Sequence, residues 1–427
     1  MATRQLVTDL RGASRLAIAA TTGVAELVEA MHHTIGRAPA PLGKPVRGRP
    51  GGIAGAVYGA VRGVTKLVGG GIDAALALLP PMLREGGDWN GRDQVLAALN
   101  GVLGDYLART ANPLAIAMQL RRDGLPLELR RDAMRGAVPD AKGRLVVLLH
   151  GLCMSDRQWA RNGHEHGRQL AQALDATALY LNYNSGLHVS TNGRQFATLL
   201  EQLVREWPVP VSELVIVGHS MGGLVARSAT RIAQDDGLAW RARLRSLVFL
   251  GTPHHGAPLE RGGHWIDVFI GASPYTAAFD RLGRIRSAGI TDLRHGSVLD
   301  EDWQGQDRFA HGRDGRVPLP LPDDVACYAI AATAGKRSGP LAERLIGDGL
   351  VPVDSALGRH EDPRRALAFP AAHTWIAYQT HHLELLGSER ACRHMVDWLV
   401  GGRPAQRGRV AASSSSISSK SSSRRAP

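Results

Sequence analysis

Cysteine is scarce: the 427 residues hold three, Cys153, Cys327 and Cys392, far apart in the chain. So small and odd a set suggests neither a disulfide framework nor a cysteine-based zinc site, and it fits a reducing compartment best. Long apolar runs are missing too. No stretch reaches the roughly 18 uncharged apolar residues that a membrane-spanning helix needs. Arg4, Arg11 and Arg15 precede the weakly apolar LAIAATTGV, but Glu26 and Glu29 follow at once with no convincing cleavage site, so a signal peptide is not expected. The setting expected is cytoplasmic, with at most peripheral membrane contact. There is no internal repeat and no nucleic-acid-binding motif, so nucleic acid is not an expected partner.

Acid is absent from the C-terminal tail. Residues 403–427 carry Arg403, Arg407, Arg409, Lys420, Arg424 and Arg425, and without these six the formal net charge falls from +12 to about +6. That balance describes a solvated basic surface more readily than a polyanion-binding one. The tail ends SSSSISSKSSSRRAP, too poor in apolar side chains to order itself.

What the chain does have falls into distinct regions. Residues 1–125 are rich in Ala, Gly and Leu and read as a helical N-terminal extension, broken by a Pro/Gly/Arg linker at 37–50 (RAPAPLGKPVRGRP). Ile53, Val57, Val61, Val64, Val68 and Ile72 recur at the spacing of one helix face, while Gly55, Gly59 and Gly63 would let another backbone approach. Arg62 and Lys66 exclude a membrane span, leaving a helical cap on the rest of the protein or a membrane-surface or self-associating helix.

From 140 to 402 the pattern alternates. Strands are expected at 145–150, 178–183, 214–219, 244–251 and 326–333, and helices at about 157–174, 193–206, 221–235 and 389–400. Continuous apolar strands between helices imply an α/β domain, a doubly wound, mostly parallel sheet buried on both faces. Residues 257–320 are polar and glycine-rich, with Trp265, Phe269, Ile270, Tyr275 and Phe279 clustered early, and suit a lid, an acyl-binding wall or an ordinary insertion.

Within this domain LVIVGHSMGGLVARS places Ser220 between an apolar strand and a helix. In a chain with 50 glycines the pattern G-x-S-x-G means little by itself. At a strand-to-helix turn it acquires a mechanical meaning, because the serine is then held out at the sheet's carboxyl edge above a helix N-terminus. A serine at its ordinary pKa is a poor nucleophile, so a base, an orienting acid and oxyanion donors are required. His150-Gly151 ends a strand, so the amides of Leu152 and Met221 are the candidate oxyanion donors and His150 orients the loop. His254 and His255 are adjacent and cannot readily converge on one ion, so they are expected to pack the loop, and no metal or cofactor is implied.

His150-Gly151, GHSMGG at 218–223, GTPHHG at 251–256 and GDGLVPVDSALG at 347–358 together resemble the α/β-hydrolase superfamily, particularly bacterial lipases and esterases and the GPI inositol-deacylase-like group. The resemblance covers 140–402 and implies the order nucleophile, acid, histidine. It marks Asp348 as the acid, with Asp354 as rival, and His382 as the base, with His381 and His373 as alternatives. A strand at 367–372 (LAFPAA) is expected between acid and base. The activity implied is hydrolysis of acyl esters, lipid esters included. Acyl transfer to an alcohol through the same triad, and a non-catalytic lipid-associated scaffold, are the alternatives.

Overall fold

The computed structural model describes residues 92–257, 287–305, 315–335 and 347–401, with positions 8, 11, 12, 14 and 15. The linker at 37–50, the periodic stretch at 51–79, the aromatic cluster at 265–279 and the tail at 403–427 lie outside them. In chain order the elements are α1 (Arg92–Arg109), the strands β1 (Gln119–Arg122) and β2 (Leu125–Pro126), α2 (Arg131–Ala137) and β3 (Arg144–Leu149). A short hairpin, β4 (Ala160–Arg161) and β5 (His164–Glu165), leads into α3 (His166–Leu174), β6 (Thr177–Asn182), α4 (Val189–Glu206), β7 (Glu213–His219), α5 (Met221–Asp235) and β8 (Leu244–Leu250). Then come α6 (Ala288–His295), β9 (Ala326–Thr333), α7 (Val353–Ala356), β10 (Thr374–Tyr378) and α8 (Glu389–Gly401).

Eight strands form one sheet in the order β10-β9-β8-β7-β3-β6-β1-β2. The six from β10 to β6 are parallel, and β1 and β2 add an antiparallel edge. This is the doubly wound sheet expected, with β3 at the point where successive connections leave in opposite directions. Crevices at the carboxyl ends of strands form at such switch points.

The central strands β3, β7, β8 and β9 are largely apolar because both faces are covered. Leu145, Val147 and Leu149 of β3 join one core cluster with Ile216, Phe249, Phe196 and Leu200 of α4, and Leu224 of α5. Val146 and Leu148 join the other with Val217, Val248, Leu170 of α3 and Met395 of α8. Each buried Leu, Val or Phe contributes about 1.5–3 kcal/mol of transfer free energy, so register is enforced from both sides. Among the described residues no helix is long and apolar enough to cross a membrane.

Several elements depart from the sequence reading. The predicted helix at 157–174 begins only at His166, because Asn162 and Gly163, with φ of 52° and 78°, turn the β4–β5 hairpin. Asp123 and Gly124 do the same between β1 and β2, so the sheet's edge starts ahead of residue 140. The strand after the acid is Thr374–Tyr378, not 367–372. Pro370 has no N–H to give a ladder, and a 3-10 turn at Ala371–His373 follows it.

Candidate active site

β7 ends at His219 and α5 begins at Met221, so Ser220 is the whole turn between them, at φ 53° and ψ −124°. A non-glycine residue held there costs on the order of 1–3 kcal/mol and persists only where the surroundings determine it. They do so here. The Ser220 amide donates to the Leu250 carbonyl at the end of β8 (2.8 Å), and the Ser220 carbonyl accepts from Gly223 (3.1 Å). A side chain at Gly218 would come within 2.5 Å of Gly223, and one at Gly222 would run into the Leu149 and His150 carbonyls. The glycines of GHSMGG are therefore demanded by the turn. The Ser220 hydroxyl is buried and has no hydrogen-bond partner among the described residues.

Asp348 follows β9 at a distance in the chain and lies between two glycines at positive φ, 50° for Gly347 and 95° for Gly349. One carboxylate oxygen accepts from the amides of Leu350 (3.0 Å) and Val351 (2.8 Å). The other accepts from His382 Nδ1 at 2.6 Å. The His382 amide also donates to the Asp348 carbonyl (3.2 Å). Both side chains are 1% exposed. An imidazole whose Nδ1–H is committed to a carboxylate presents Nε2 to the site.

His382 and Ser220 share the carboxyl end of β8. Leu250 holds the Ser220 amide, and a side chain on the next residue, Gly251, would meet the His382 ring at 3.1 Å. His219, beside the serine, lies 4.7 Å from the His382 ring between centroids, and its Nε2–H donates to the His382 carbonyl (3.2 Å). Burial holds the His219 pKa well below its ordinary value, so it stays neutral.

The rival residues are occupied elsewhere. Asp354 sits in α7 against Arg359 at 3.1 Å, His381 is exposed, and His373 precedes β10 at the opposite edge of the sheet, bonded to the Cys327 carbonyl (3.1 Å).

His150-Gly151-Leu152 follows β3, and a side chain on Gly151 would lie 3.0 Å from the Ser220 Cβ. Leu152 and Met221 are fully buried, and neither amide donates to a described residue. His150 stacks on Tyr183 with ring centroids 4.3 Å apart, and its Nδ1–H donates to the Gly151 carbonyl (2.8 Å). Burial pushes its pKa down to about 4, so the ring is a neutral brace for the loop. His254 packs edge-on to Phe249 at 4.8 Å, and His255 lies 4.8 Å from the His360 ring.

Other supports have no motif to announce them. The Cys153 amide donates to Ser185 Oγ (3.0 Å) on the rim loop after β6, and Asn184 Nδ2 donates to the Gly104 carbonyl (2.9 Å). Gly101 and Gly104, three apart on α1, leave space for Cys153 and Asn184, so this helix backs the loop that carries Leu152. Small residues at that spacing on one helix face were the available signal.

Residues 140–316 match the family model described as a PGAP1-like alpha/beta domain. The chain has an α/β-hydrolase fold. Among curated proteins, none matches it. The mature lipase BlEst2 of Bacillus licheniformis is similar over 60% of this chain and 90% of its own, at 17% identity and a TM-score of 0.37. Lipase 1 of Pelosinus fermentans is similar over 61% and 97%, at 12% identity and a TM-score of 0.36. The RedJ thioesterase of Streptomyces coelicolor is similar over 65% and 95%, at 17% identity and a TM-score of 0.34. The hydrolase fold itself rests on the sheet order, the elbow and the family match.

Proposed function

We propose that this α/β-hydrolase-fold chain is a serine hydrolase of carboxylic esters, with Ser220 as nucleophile, His382 as base and Asp348 as its orienting acid. The observation that carries the reading is the buried 2.6 Å bond from His382 Nδ1 to Asp348, at the same strand end as a serine in a strained elbow. His382 Nε2 takes the hydroxyl proton as Ser220 Oγ attacks the ester carbonyl. The amides of Leu152 and Met221 hold the oxyanion. His382 returns the proton to the leaving alcohol, and water then cleaves the acyl-enzyme by the same steps in reverse.

Met221 opens α5, where the N–H groups of the first turn favour developing negative charge. Residues 258–286, which the sequence reading makes part of a lid or acyl wall, lie outside the described residues.

Replacement Ser220→Ala is expected to lower kcat/KM on p-nitrophenyl esters by about 10⁴-fold or more with the circular dichroism spectrum unchanged. Labelling of the wild-type chain by a fluorophosphonate should disappear in the same variant. Undiminished turnover in Ser220→Ala would sink the proposal.

A further inference from the structure

On the sheet face covered by α3 and α8, three side chains from separate segments converge. His164 is on β5, His166 opens α3 and Cys392 lies in α8. All three are buried, and one ligand-capable atom of each lies within 4.8 Å of the others. We propose that these three residues bind a zinc ion that ties the β4–β5 hairpin, α3 and α8 together. The proposal does not depend on the ester-hydrolase reading.

Two imidazoles and a thiolate are the donor set that a borderline-soft ion without geometric preference takes up. His164 and His166 are two apart across the end of a strand, which puts both on one side. The ring of His166 is already oriented for a metal. Its Nε2 lies 2.8 Å from the Leu385 carbonyl, which can only accept, so the proton is on Nε2 and the Nδ1 lone pair faces His164. A backbone carbonyl on the far nitrogen is the usual outer support of a metal-bound histidine.

Without an ion, His164 Nε2 donates to His166 Nδ1 across 2.9 Å. With one, the His164 proton moves to Nδ1, the Cys392 thiol releases its proton to solvent, and three lone pairs point at the metal. Zinc bonds of about 2.0–2.1 Å to nitrogen and about 2.3 Å to sulfur place tetrahedral ligands about 3.3–3.6 Å apart. The histidine pair then opens by about 0.4 Å, a small rotation of His164.

The cluster borders a surface cleft of about 600 Å³ lined also by Gln169, Glu389 and Asp397, which gives an ion a way in. Glu389, one helical turn before Cys392, lines the same cleft but stands outside the three-ligand cluster, which leaves the fourth position to water from the cleft. Leu385 belongs to the 3-10 turn that His382 begins, so the ion would also steady that turn.

The test uses the full chain, stripped with a chelator and titrated with Zn²⁺ alone. One ion per chain should bind, and the Tm should rise with zinc as binding to the folded state requires. Substitution by Co²⁺ should give a thiolate-to-cobalt charge-transfer band that Cys392→Ser abolishes. Should that variant fail to fold, His164→Gln is expected to bind zinc at least about 100-fold more weakly, since even outer supports are worth about 10–100-fold. Absence of zinc uptake and of a Tm shift in the wild-type chain would overturn the proposal. So would a cobalt–thiolate band surviving in Cys392→Ser, or wild-type affinity in His164→Gln.

Discussion

Among the described residues, two buried aspartates each hold a histidine, and they keep different company. His382 and Asp348 are 2.6 Å apart and both 1% exposed, at the strand end that carries Ser220. His188 and Asp292 are 3.0 Å apart, with side chains 20% and 3% exposed. The His188 ring stacks on Trp303 with centroids 3.7 Å apart, and Asp292 also accepts the Val189 amide (2.8 Å), which caps α4. Burial raises the Asp292 pKa, and the bond from His188 acts against it. A histidine–carboxylate bond is thus not a catalytic signature in itself. In the second pair it closes a helix end, and in the first a strained serine stands beside it.

The sharpest way to break the comparison is to remove one carboxylate charge at a time. Asp348→Asn should lower kcat/KM by about 10³–10⁴-fold, because the amide can support the wrong tautomer of His382. Asp292→Asn should cost about 1–3 kcal/mol in urea unfolding and leave kcat/KM within about tenfold. Reversed outcomes would mean that the roles of the two pairs have been exchanged.

Acid titration separates the two regions next. His150, beside the serine, has a folded pKa of about 4 against an ordinary value of 6.5, so the unfolded chain binds its proton first on acidification. Its contribution to stability is present above pH 6.5 and is lost as the pH falls towards 4, by up to about 3 kcal/mol. His219 and His254 act with the same sign. The raised pKa of Asp292 acts oppositely, its contribution being lost as the pH rises above 3.8 through the folded value. Urea midpoints between pH 4.5 and 7.5 should therefore climb with pH. A flat profile would count against buried neutral histidines.

A smaller change probes the space around His382. Gly251 has φ of 56°, and a side chain there would meet the His382 ring at 3.1 Å, so Gly251→Ala should lower kcat by about 10–100-fold. The backbone strain should add about 1–2 kcal/mol of destabilisation. Unchanged kcat would show that the ring position is not critical. Smallest is Trp303→Phe, which keeps the stack on His188 but loses the 3.0 Å bond from Nε1 to Ser190 Oγ. It should cost about 0.5–1.5 kcal/mol in Tm-derived stability without touching ester turnover.

Much of this was legible along the chain because the signals are local. The five long parallel strands were expected within a residue or so of their ends, since strands buried on both faces must be apolar at every position. Ser220 was placed at its elbow by the same run. Other local signals were available and missed. Asn162-Gly163 and Asp123-Gly124 are strong hairpin turns, yet they lie inside stretches read as helical. The start of α4 could not be found locally, because its cap is a carboxylate 103 residues away.

Short-range chemistry therefore sufficed for the strands and the elbow, which follow from periodicity and backbone sterics over a few residues, whereas the order of serine, aspartate and histidine is what the resemblance to the α/β-hydrolases implies. The 2.6 Å bond from His382 to Asp348, the backing of Leu152 by α1 and the meeting of His164 and His166 with Cys392 needed the packed molecule. Cysteine spacing is informative only against other cysteines, whereas the residues that Cys392 meets are histidines on a hairpin and a helix start far up the chain. Which distant side chains converge is set by how helices pack on a twisted sheet, and closing loops of that length leaves no periodic trace in the residues themselves.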